Sequence, residues 1–94
     1  MDEKKKEDLL KEIAKKIEDY TKKIEKNPND ASYYYNRGNA YYNRGNTFII
    51  LENFQEAIDN FKKAIEDYNR AIELNPNNAS YYNNRGISLL CISL

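Results

Sequence analysis

Residues 53–73 read NFQEAID NFKKAIE DYNRAIE, three heptads in register. Phe54, Phe61 and Tyr68 form one column, Ala57, Ala64 and Ala71 a second, and Ile58, Ile65 and Ile72 a third. A strand alternates every two residues, so an apolar period of seven is a helical signal. Sustained over three heptads, it implies left-handed packing against a neighbouring helix. The alanine column lets that neighbour's backbone come close. Just upstream, residues 34–47 read YYNRGNA YYNRGNT, one heptad written twice with only its last residue changed.

Two Asn-Pro turns punctuate the chain, NPND at 27–30 and NPNN at 75–78, and near-identical text follows each: NPNDASYYYNRG and NPNNASYYNNRG. Pro28 and Pro76 stand 48 residues apart, which sets an internal period. Proline stops one helix, and the following Asn or Asp caps the next. Upstream, Leu9, Leu10, Ile13, Ile17, Tyr20 and Ile24 recur at three- and four-residue steps. Acid-before-base pairs such as Glu7/Lys11, Glu12/Lys16, Glu18/Lys22 and Asp19/Lys23 mark the opposite, solvated face. The expectation is an all-α chain of antiparallel helical hairpins, with helices at about 2–26, 31–51, 54–74 and 79–93. The turn near Glu52-Asn53 has no Gly or Pro, and Asn53 as an N-cap is its only signal. An unbroken helix from 31 to 74 would be ~65 Å long, and the break is preferred.

Lys plus Arg and Asp plus Glu both number 15 in 94 residues, a formal net charge of zero. That balance argues against nucleic acid or an anionic membrane as the main partner. The most apolar stretch, Ile87 to Leu94, is too short to span a bilayer. Cys91 is the only cysteine, and the N-terminus MDEKKKEDLL has no apolar signal core, so a reducing, cytoplasmic setting is expected. There is no His, no metal-ligand constellation and no reactive-cysteine context, so no cofactor and no catalysis are expected.

Tyr34-x-x-Arg37-Gly38-x-x-Tyr41, then Ala64-x-x-x-Tyr68-x-x-Ala71, then Pro76 resembles the tetratricopeptide repeat (TPR), whose signature places an aromatic, Leu-Gly, Tyr, Ala, Phe and Pro in that order. The resemblance implies a right-handed array of helical hairpins. The chain then reads as a single domain, 1–94: a half-repeat at 1–26, an extended repeat at 31–78 and a half-repeat at 79–94. The family's period is 34, and 48 exceeds it by two heptads, one in each helix of the hairpin. Seven residues added to both antiparallel partners, two turns and ~10 Å, keep the facing and the turn intact. Such matched lengthening suggests duplication or design.

Gly38, Gly45 and Gly86 fall inside helices, where each costs ~1 kcal/mol relative to Ala, and are expected to admit a paired helix. Tyr34, Tyr41 and Phe48 are expected to be a core column, and Arg37, Arg44 and Arg85 to pair with acids on neighbouring helices, Asp67 and Asp59 being the candidates. Asn36, Asn39, Asn43 and Asn46 form one stripe, and Asn84 takes the place of Asn36 in the last helix. The resemblance implies a concave face that holds extended peptides. An asparagine ladder there could clamp a peptide backbone, because an amide both donates and accepts, with Tyr35 and Tyr42 adding apolar contact. Some family members bind C-terminal carboxylates through a Lys/Asn/Arg clamp. Asn39 and Asn84 match its asparagines, but Tyr35 and Ser80 stand where its lysines would be, and no such clamp is expected.

The chain ends ISLLCISL. Ile87, Leu90, Cys91 and Leu94 lie at helical spacing on a face that a following helix would cover, and residues 79–94 are expected to self-associate, most simply as a twofold homodimer. Two functions follow: a self-assembling structural scaffold without a ligand, or a module that binds a protein or an extended peptide.

Overall fold

A computed structural model describes residues 2–93. Four helices follow one another, α1 (Glu3–Lys26), α2 (Ala31–Ile50), α3 (Phe54–Leu74) and α4 (Ala79–Ser93), as an antiparallel array of 39 × 30 × 17 Å. Helix α2 pairs along its length with α3; α1 packs on the other side of α2, and α4 packs on α3 and touches α2. The expected boundaries agree to within a residue.

Each helix starts on a side chain that accepts from an otherwise unpaired backbone N–H. Asp2 accepts from Lys5 at 2.9 Å, Asp30 from Ser32 at 3.0 Å, Asn53 from Glu56 at 3.3 Å and Asn78 from Ser80 at 2.9 Å. The two Asn-Pro turns are the same device twice. The amides of Asn27 and Asn75 close the preceding helix on the carbonyls of Lys23 and Ala71, at 2.9 Å each, before proline stops it.

The α2–α3 break is present and is made by backbone geometry. The Glu52 amide donates to the Ile49 carbonyl at 3.0 Å and the Asn53 amide to the Phe48 carbonyl at 2.9 Å. These are the two bonds of a Schellman closure. Its left-handed residue is Glu52, at φ 60°, a place that glycine usually fills. Asn53 thus ends one helix and caps the next.

The core lies along the α2–α3 seam. Ala57, Ala64 and Ala71 are fully buried, and with them Phe61 and Tyr68, the two large side chains sealed deepest. Burying each of those rings is worth ~1.5–3 kcal/mol. Gly38 and Gly45 sit beneath them: a Cβ at Gly38 would lie 2.8 Å from Tyr68 Cε1, and one at Gly45 2.6 Å from Phe61 Cε1. Two expectations are corrected here. Gly86 faces open space, with nothing within 4 Å of a Cβ, because no described helix lies on that side of α4. Tyr34, Tyr41 and Phe48 are half-buried rather than sealed in the core. The glycines draw α3 over their own row, which leaves the tyrosine row at the flank, where Arg37, Arg44 and Lys63 lie 5.4–6.0 Å from the Tyr41 ring. Phe54, the first aromatic of its column, is also largely exposed, at 56%.

Of the charged pairs expected on α1, Glu18–Lys22 closes at 3.0 Å. Both side chains are solvated, and such a pair adds little.

Candidate functional site

Arg37 lies midway along the α1–α2–α3 interface. Its Nε and Nη2 donate to the two carboxylate oxygens of Asp67 at 2.8 and 2.7 Å, and its Nη1 donates to Thr21 Oγ1 on α1 at 3.2 Å. Burial pushes the Asp67 carboxyl above its ordinary value while the Arg37 bonds pull it back down. One heptad further along α2, and one heptad back along α3, Arg44 Nε donates to Asn60 Oδ1 at 2.6 Å. Asp67 is the expected partner of Arg37, but Asp59 is not a partner of any arginine. It accepts from Gln55 at 3.1 Å, because the antiparallel register places residue 60 opposite Arg44. Arg85 likewise bonds an amide, Asn69 Oδ1 at 2.9 Å. These arginines hold helices together.

The asparagine stripe divides. Asn39 Oδ1 accepts from the Tyr68 hydroxyl at 2.6 Å and from Asn84 Nδ2 at 3.0 Å, and Asn84 Nδ2 also donates to the Tyr35 hydroxyl at 3.0 Å. This polar knot ties α2, α3 and α4 together under a cluster of rings, with Tyr35 4.8 Å from Tyr81 and 5.9 Å from Tyr68 between centroids. Burial pushes the Tyr68 hydroxyl well above its ordinary 10.0, with Tyr35 and Tyr42 adding to the effect. Every buried side-chain polar atom among the described residues has a partner.

On one side of α2, Asn36, Asn39, Ala40 and Asn43 line a groove against Lys16 and Tyr20 of α1, ≈ 230 Å³ in volume. On the other side runs a cleft against α4. Tyr42, Asn84 and Ile87 line its narrow end, ≈ 60 Å³. Asn46, Ile49, Phe54, Phe61 and Cys91 line its wide end, ≈ 400 Å³. Phe61 forms part of the cleft and stacks with Tyr42 at 5.7 Å. Residues 36 and 43 thus face α1, while 42 and 46 face α4. A helix advances 100° per residue, so Asn positions three and four apart drift across two rows and do not hold one line.

Two groups of residues that seemed separate in the sequence meet in the α2–α4 cleft. Tyr42, Asn46 and Asn84, candidates for peptide contact, stand beside Ile87 and Cys91, candidates for self-association. Leu90 points elsewhere, 64% exposed, and Leu89 beside it is 48% exposed. Leu94 lies outside the described residues. Phe54 and Ile49, both exposed lining residues of the cleft, had no place among the candidates. The signal that could have found them is the hairpin turn itself, which brings the end of α2 and the start of α3 to one spot.

Two family models match the chain: the tetratricopeptide repeat over residues 39–66 and the TPR repeat over residues 60–90. The chain is a TPR-like helical repeat. The first match starts inside α2, two residues before the second copy of the YYNRGN heptad, and the second runs from α3 across the NPNN turn into α4. No curated protein and no solved structure gives a significant match. The TPR-like array is a protein-interaction fold, and among its described residues no group of three or more His, Cys, Asp or Glu could hold a metal. No described helix is long and apolar enough to cross a membrane.

Proposed function

We propose that this TPR-like chain is a non-catalytic protein-interaction module that holds an extended peptide in the α2–α4 cleft. The observation that carries this reading is the cleft's composition. Ile49, Phe54 and Ile87 supply exposed apolar surface over the buried edge of Phe61, and the amides of Asn46 and Asn84 stand at the cleft's edge. Apolar side chains of a bound strand would enter the wide end, while the Asn46 amide donates to and accepts from its backbone. Asn84, whose two N–H groups are bonded to Asn39 and Tyr35, offers its carbonyl oxygen as an acceptor. Asn39 contributes indirectly: it is bonded to Tyr68 and Asn84 and positions the rim. The doubled heptads are read as a matched lengthening of α2 and α3, which extends that hairpin by two turns.

The test is a peptide array probed with the labelled chain, followed by fluorescence anisotropy on the peptides retained. Asn46→Ala with Tyr42→Ala should weaken binding at least ~10-fold, and Asn83→Ala, on an exposed position outside the cleft, should leave it unchanged. Equal losses for both variants, or no retained peptide, would refute the cleft as the site.

A second reading, self-association as a structural scaffold, rests on a different observation. Leu89 and Leu90 are exposed side by side on α4, and Gly86 beside them faces open space. Solution mass measured across a concentration series tests it, and a constant single-chain mass of 11.1 kDa would exclude it.

A further inference from the structure

We infer that copies of this chain stack end to end, α4 of one docking on α1 and α2 of the next; the inference rests on the self-association reading above and names its geometry. The internal period of 48 holds in three dimensions, contact by contact. The Tyr34 hydroxyl donates to the Pro28 carbonyl at 2.9 Å, and the Tyr82 hydroxyl to the Pro76 carbonyl at 3.0 Å. Arg37 lies over the Tyr34 ring at 5.9 Å and Arg85 over Tyr82 at 5.3 Å. Each arginine donates back to the preceding helix at matching positions, Arg37 to Thr21 and Arg85 to Asn69. The first turns of α4 therefore reproduce the first turns of α2. In the same way α1 reproduces α3, with Ile13, Ile17, Tyr20 and Ile24 at the positions of Phe61, Ile65, Tyr68 and Ile72.

One difference separates the two copies of the Arg-Gly pair. Arg37 also reaches forward to the Asp67 carboxylate, and the Tyr68 ring fills the space over Gly38. Arg85 has no carboxylate partner among the described residues, and Gly86 is open. The missing acid–aromatic pair is present at the other end of the molecule. Asp19 and Tyr20 occupy on α1 the places that Asp67 and Tyr68 occupy on α3, and Asp19 is exposed. A second copy whose α1 lies against α4 as α3 lies against α2 brings Asp19 to Arg85 and the Tyr20 ring over Gly86.

The rest of the surface agrees with that placement. Leu90 stands where α2 has Tyr42, whose counterpart wall includes Asn84; the matching wall on the next copy is Asn36, in the open α1–α2 groove of ≈ 230 Å³. Exposed Leu90 thus has a cavity to enter. A twofold α4–α4 pairing fits less well, because α4 contains no Asp or Glu and would leave both Arg85 side chains without a carboxylate. Lys16 and Lys23 occupy the positions of Ala64 and Ala71, so α1 docks less closely than α3 does. Their side chains have room on the groove side, where Lys16 lines the cavity and the Lys23 ammonium lies 4.9 Å from the Tyr20 ring centroid. The contact is therefore weak, and salt screens it.

Sedimentation velocity at low salt over a concentration series tests the geometry. The native chain should show a mass that keeps rising with concentration, as open heterologous contacts require. Asp19→Ala and Arg85→Ala should each weaken association at least ~10-fold. An equimolar mixture of the two should form a discrete two-chain complex, since each chain keeps the end that the other has lost. Gly86→Ala, which removes a helix-weakening residue from an open position, should weaken association without loss of fold. A native chain that stays single at every concentration would overturn both this geometry and self-association. A closed dimer indifferent to Asp19→Ala would overturn the stacking alone and leave self-association in place.

Discussion

Arg37 and Asp67 form a two-bond pair across the α2–α3 seam at 2.8 and 2.7 Å, and one heptad away Arg44 makes the corresponding contact with Asn60 through a single bond of 2.6 Å. The hairpin thus contains its own comparison between a carboxylate and an amide at equivalent positions. The Asp67 side chain is 6% exposed and that of Arg37 20%. Asp67→Ala should cost ~3–5 kcal/mol, because it leaves a guanidinium buried without its partner. Asp67→Asn, the arrangement that Arg44 already tolerates, should cost only ~1–2 kcal/mol. Urea unfolding of the two variants separates the cases, and equal losses would show that charge, not hydrogen-bond geometry, dominates the contact.

The three helix glycines divide by what stands over them. Gly45→Ala forces a Cβ to 2.6 Å from Phe61, and Gly38→Ala forces one to 2.8 Å from Tyr68. Both rings are sealed in the core, so each substitution should destabilise by ~1–3 kcal/mol. Gly86→Ala meets nothing and should stabilise the chain by up to ~1 kcal/mol. Thermal unfolding should move in opposite directions, and a lower midpoint for Gly86→Ala would mean that its face is covered.

Glu52 holds a left-handed conformation that costs a side-chain-bearing residue ~1–2 kcal/mol. Glu52→Gly should recover ~1 kcal/mol, less a little for glycine's greater freedom in the unfolded chain. An unchanged or lower stability would mean that the Glu52 side chain contributes a contact of its own.

Tyr68 predicts how the fold responds to alkali. Its folded hydroxyl keeps its proton above 10.0, where the unfolded chain's tyrosine releases it. The unfolded state then binds fewer protons, so stability is fully present below pH 10.0 and falls as pH rises beyond it, by up to ~1.4 kcal/mol per pH unit. Tyr68→Phe loses the bond to Asn39, costing ~0.5–1.5 kcal/mol at neutral pH, but should flatten the alkaline slope. Identical slopes for the two proteins would place the alkaline sensitivity elsewhere.

The all-α class, the four helices and their ends were legible in the sequence, because caps, prolines and heptad columns act locally and each was written twice. The Arg37–Asp67 pair was also within reach, since a polar residue in a repeating column needs a partner in the facing column. Register decided the rest. Asn60 rather than Asp59 stands opposite Arg44 because the glycine–aromatic contacts fix how the hairpin slides, and sequence spacing within one helix carries no information about that offset. The same holds for the asparagines: their intervals placed them on α2, but the positions of α1 and α4 sent Asn36 and Asn43 to one side and Asn46 to the other. Gly86 repeats the letters of Gly38 and shares its place in the repeat, yet only Gly38 has a ring above it. A helix face is specified by its own residues; whether it is buried depends on which other helix arrives there, and only the tertiary structure decides that.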